Sequence, residues 1–180
     1  MDGMNRAALS TLCLVFLALG SLTATAPAAS QSAREAKRAL PGRFQDHVVK
    51  ISADEGTPDP PKWFFVCRAA HGEDGILSLV VQNGRLLSTK PSLDLRVALG
   101  NYSRINFDRV LVDSRGTYEI AQRYIKNAKP GKTLGAVSYL LQQAGEDADP
   151  IWSLWCYDSS GRYLGLLKVL ASTGDVILWE

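Results

Sequence analysis

Cys67, Cys156, His47 and His71 are the residues of this sequence with the strongest chemical potential. Two thiols and two imidazoles would be enough for a tetrahedral zinc site, and Cys67 stands four residues before His71. His71, however, falls in the glycine-rich turn "HGEDG", and Cys67 lies in the apolar string "KWFFVC", where a reactive thiolate is disfavoured. The string "PGKT" at 130–133 resembles the end of a phosphate-binding loop, but Lys126 stands where that motif needs glycine. No HExxH or GxSxG string occurs, and the scattered carboxylates suggest no acid–base pair. The sequence therefore predicts no catalytic residues, no bound metal and no cofactor; a metal- or thiol-dependent enzyme using Cys67 and His71 is the rival reading.

The other chemistry open to two thiols is a bond between them. Ala7 to Leu22 is an almost uninterrupted apolar run followed by "TATAPAAS", the layout of a secretory signal peptide over residues 1–28, with Cys13 inside it. Export to an extracellular or periplasmic space would oxidise Cys67 and Cys156, and closing the loop between them would contribute on the order of 4 kcal/mol. Two buried free thiols are the alternative. Cleavage takes away Asp2 and Arg6, so the net charge stays at +2, which argues against a nucleic-acid partner. It also leaves no stable membrane span, whereas the alternative is that the segment is retained as an uncleaved anchor. With 46% hydrophobic residues the chain predicts a folded core.

Which elements would position these cysteines? "KWFFVC" is echoed by "IWSLWC", each with a tryptophan four residues before the cysteine: Trp63 and Cys67, Trp152 and Cys156. Beyond each echo the chain reads as strand, turn, strand, turn, strand, with Asn83 and Gly84 marking the clearest hairpin. The strings "HVVKIS" and "AVSYLLQ" supply a strand before each echo. Helical spacing appears in "TYEIAQRYIKNA", capped at Asp113 and Ser114, and shorter helices are expected in "SAREAKRAL" and in "SLDLRVALG". The organisation predicted is a duplication: a first unit over 29–91, a connecting segment with a short helix over 92–112, and a second unit over 113–180.

Alternation places Trp63, Phe65 and Cys67 on one face of their strand, and Trp152, Leu154 and Cys156 on one face of theirs. Because units of this size have marginal cores, the two are expected to pack on each other, with the cysteine faces meeting. Phe64, Trp155 and Tyr157 share the opposite face and form a candidate partner surface. Its competing reading is that the helix over 117–128 covers that face.

The second half resembles the PepSY family, small secreted or membrane-anchored domains named for the propeptides of some secreted peptidases. The features that carry the resemblance are the helix start at Asp113 and Ser114, Ala121 in the helix, Pro150 and Trp152 opening a strand, Asp158 and Gly161 in a turn, and Thr173 and Gly174 in the last turn. It covers about residues 108–180, with a fainter copy in 31–91 around "PKWFFVC". It implies an α+β fold of two PepSY- or cystatin-like units, each a helix with a four-stranded antiparallel meander. It implies a non-catalytic protein that binds or restrains a peptidase, another protein or an envelope component. A purely structural envelope component is a further alternative.

Overall fold

The computed structural model describes residues 31–68, 75–92 and 102–180. The expected signal peptide, His71 and all but the first residue of the helix expected over 92–100 lie outside the described residues.

The strands form where alternation and turn residues place them. They are β1 (Val48–Gly56), β2 (Lys62–Arg68), β3 (Ile76–Gln82) and β4 (Arg85–Pro91), then β5 (Leu134–Gln142), β6 (Ile151–Asp158), β7 (Tyr163–Leu170) and β8 (Val176–Trp179). The β3–β4 hairpin turns at Asn83 (φ 50°) and Gly84 (φ 76°), the left-handed pair that a two-residue turn between twisted strands requires.

Two separate α+β units do not form. The eight strands make one antiparallel sheet in the order β4-β3-β2-β1-β5-β6-β7-β8, and the described chain is mainly β. The physical reason lies at the edges. A meander of four strands leaves its first strand with one unpaired row of N–H and C=O groups. Here β1 and β5 satisfy each other, pairing antiparallel from Lys50 opposite Gln142 to Gly56 opposite Val137. Joining two meanders edge to edge also merges two marginal cores into one.

The helices lie on one side of this sheet, called here the helix face. Helix α1 (Ala33–Arg38) starts with a reciprocal cap: Ser32 Oγ accepts from Glu35 N, and Glu35 Oε2 accepts from Ser32 N at 2.9 Å. A single turn, α2 (Gly42–Gln45), follows and buries Phe44. The longest helix, α3 (Ser114–Ala128), is capped by Asp113 and buries Tyr118, Ala121 and Ile125. The two helix starts also cap each other: Ala33 N donates to Ser114 Oγ at 3.1 Å and Arg34 N to Asp113 Oδ2 at 3.2 Å. Arg115 binds Glu35 and Asp59 across this junction.

The repeated tryptophan has a structural answer here. Trp63 Nε1 donates to Gln31 O and Trp152 Nε1 to Val112 O, both at 2.9 Å, and each acceptor lies two residues before a helix. Each indole thus fixes the entry of one helix onto the sheet while being buried itself. Tyr139 sits between them, with ring centroids 5.6 Å from Trp63 and 6.1 Å from Trp152.

The cysteines share the helix face but do not meet. Cys67 lies opposite Val48 near the start of β1, whereas Cys156 lies opposite Val137, which faces Gly56 at its end. That places them about 14 Å apart across the strands and about 25 Å apart along them. Disulfide geometry requires Cα atoms within about 7 Å, so the bridge expected between the two units does not form. Both are free and buried.

Candidate functional site

The opposite side of the sheet, the outer face, holds the candidate partner surface. Register carries one row of side chains across the molecule: Val80, Phe64, Ser52, Leu140, Ser153, Lys168 and Leu178 lie on neighbouring strands opposite one another. Trp155 stands two residues along β6 from Ser153, between Ser138 of β5 and Leu166 of β7, and Tyr157 lies opposite Tyr163. Phe64, Trp155 and Tyr157 therefore share one face, with Phe64 three strands away from the other two.

The competing expectation, that α3 covers these aromatics, is not met. Tyr118, Ala121 and Ile125 of α3 join the same buried cluster as Trp152, Leu154 and Cys156 on the helix face. Phe64, Trp155 and Tyr157 stay half-buried, and among the described residues no helix lies over them. Among the described residues the outer face has one small buried cluster, Val49 and Val66 with Ile76 and Tyr102 against them, at one corner of the first half.

The two halves of this face differ in chemistry. On β5–β8 it presents Leu140, Ile151, Trp155, Tyr157, Leu166, Leu170 and Leu178, all half-buried, with Tyr163 51% exposed and Lys168 standing between Leu166 and Leu170. The rings of Tyr157 and Tyr163 lie 5.8 Å apart. Beside Tyr157 opens a cleft of about 460 Å³ lined by Gly135, Ala136, Asp158, Ser159 and Gly161. On β1–β4 the same face carries Lys50, Lys62, Arg85 and Lys90, and Lys62 Nζ sits 4.9 Å over the Phe64 ring. Among the described side chains, the acids on this face are Asp54, next to Ala53 on β1, and Glu180, whose backbone pairs with Leu166.

Sequence reasoning picked out the aromatics of β2 and β6 but missed Leu140, Leu166, Leu170 and Leu178. Residues 163–171 read "YLGLLKVLA", apolar at nearly every position, so alternation alone assigns no face. Register against β6 is what assigns it.

Other chemistry is weaker. Burial pushes the Cys67 and Cys156 thiols up to about 12, so neither carries appreciable thiolate near neutrality. Among the described residues no three His, Cys, Asp or Glu side chains gather as metal ligands. A second cleft, of about 380 Å³, lies between Lys37, Asp46, Phe107 and Gln143. There burial lowers the Lys37 pKa against the pull of Asp46 and Asp108, and Lys37 Nζ lies 3.9 Å over the Phe107 ring. Gln143 accepts from Asn106 N and donates to Gly145 O and Glu146 O, so this cleft ties the 102–109 segment to the sheet. Among the described residues no helix is long and apolar enough to cross a membrane. Comparison of the chain with protein-family models, with curated proteins and with solved structures finds no match.

Proposed function

We propose that this chain is a secreted, non-catalytic binding protein of the cell envelope or extracellular space, and that the outer face of its sheet is the binding surface. One observation carries the reading. A sheet that buries tryptophans under helices on one side leaves Trp155, Tyr157, Leu140, Leu166 and Leu170 on the other side without a helix from the described residues. Exposed apolar surface of this kind, here interrupted by Lys168, Ser138 and Ser153, marks interaction sites. The thiols favour binding over covalent catalysis, because burial keeps both protonated. Restraint of a peptidase or another envelope protein, which the PepSY resemblance implies, would engage the same surface.

The test is Leu166→Asp, which puts a charge in the middle of the apolar half and leaves the helix face intact. Wild-type protein is expected to co-sediment with the envelope fraction of its source cells, and the variant to be released while unfolding at nearly the same temperature. Retention of a folded Leu166→Asp protein by the envelope would refute the outer face as the binding surface.

A further inference from the structure

We infer that the outer face docks on an anionic lipid surface, with its apolar half against the acyl region and its basic half against the headgroups. This rests on the reading of that face as a binding surface. The chemistry of the face is unevenly divided between its halves. Leu140, Trp155, Leu166 and Leu170 lie on β5–β7 with one base, Lys168, between the last two, while Lys50, Lys62, Arg85 and Lys90 lie on β1–β4. Because both halves belong to one sheet, a single broad surface can touch both at once. A bilayer of anionic phospholipid offers hydrocarbon directly beneath a layer of negative charge, which is the complement this face requires. Trp and Tyr side chains suit that boundary, having an apolar body and a polar tip.

The area of the patch argues against a second copy of the chain. Four strands span about 19 Å and their paired lengths about 20 Å, so the apolar half offers about 400 Å². A stable interface needs about 800 Å² from each partner. A larger overlap would bring the lysines of β1–β4 into the contact, where each meets either apolar surface or another cation. Single-stranded nucleic acid fits less well too, since its binding sites set aromatics along the same groove as the basic residues. Here Trp155 and Tyr157 stand among leucines, across the sheet from most of the bases.

The measurement is Trp155 fluorescence of the full chain mixed with vesicles whose acyl chains carry bromine, a contact quencher. One set of vesicles is phosphatidylcholine alone and the other also contains phosphatidylglycerol. Trp63 and Trp152 are buried on the helix face and Trp179 packs on Tyr124, so Trp155→Phe identifies the emission that belongs to the outer face. The expected result is quenching of the Trp155-dependent emission by phosphatidylglycerol vesicles, and loss of that quenching in added salt. Neutralising two exposed bases with Lys62→Gln and Lys90→Gln is expected to weaken binding about 30-fold. These substitutions lie at exposed positions, so thermal unfolding should be unchanged.

Vesicle binding without Trp155-dependent quenching would show attachment through another part of the chain and overturn the proposal. Equal binding to both vesicle types would overturn the part assigned to the lysines, and with it the proposal. A dimer in sedimentation equilibrium that Leu166→Asp dissolves would make a second copy the occupant, and quenching abolished by a single-stranded oligonucleotide would point to nucleic acid; either overturns the lipid assignment. If vesicles fail but Leu166→Asp still frees the protein from native envelopes, the lipid assignment falls and the binding surface stands.

Discussion

The two halves of the sheet are near copies on the helix face and strangers on the outer face. On the helix face, Trp63 and Trp152 make the same hydrogen bond to a carbonyl two residues before a helix, and Cys67 and Cys156 occupy matching positions on β2 and β6. On the outer face, Lys50, Lys62, Arg85 and Lys90 gather on the first half, whereas leucines, Trp155 and Tyr157 predominate on the second, with Lys168 the base among them. The difference follows from what each side must satisfy. Helix-face positions are enclosed, so volume and hydrogen bonding restrict them tightly. Outer-face positions have no described helix to fit, which leaves their chemistry free to serve an external partner.

The harshest test of the matching side is Trp63→Ala against Trp152→Ala. Each should destabilise by about 3–5 kcal/mol, read as a shift in the urea midpoint, because each empties an enclosed space and strands a backbone carbonyl. A loss confined to one of them would break the likeness of the halves.

The thiols sharpen the same likeness. In folded protein near pH 8.5, Cys67 and Cys156 should both resist alkylation, with about a thousandfold less thiolate than an ordinary cysteine. Both should react once urea unfolds the chain, and reduction should leave the intact mass of the folded monomer unchanged.

Smaller effects are expected at the caps. Ser32→Ala and Asp113→Ala should each cost about 1 kcal/mol in thermal or urea unfolding. Their double variant should depart from additivity, since the helix starts that they cap also bond to each other.

The smallest effect is a pH dependence at the same junction. The Glu35 carboxyl is held below its usual range chiefly by the backbone N–H of Ser32, with Arg115 adding to this. A lowered folded pKa gives stability that is present above the unfolded carboxylate value and is lost as pH falls through the folded one. Glu35→Gln should therefore flatten slightly the acid side of the stability profile and leave the region above neutrality parallel to wild type.

Much of this architecture was legible in the chain. The echo of "KWFFVC" in "IWSLWC" announced a repeated structural part, alternation grouped Trp63, Phe65 and Cys67, and Ser32 and Asp113 marked helix starts. The candidate surface was legible only in part, because Trp155 and Tyr157 alternate with buried neighbours whereas Leu166 and Leu170 sit in a run that is apolar on both faces apart from Gly165 and Lys168.

What the sequence by itself determined is local: period-two patterning sets which residues share a strand face, and side-chain caps set where helices begin. Only the tertiary structure decided that β1 and β5 pair, that α3 covers the cysteine side, and that Cys67 and Cys156 stand at opposite ends of one sheet. The reason is that an edge strand's open hydrogen bonds carry no address. Their partner is chosen by which pairing completes the ladder and encloses the tryptophans together, and that depends on residues more than eighty positions apart.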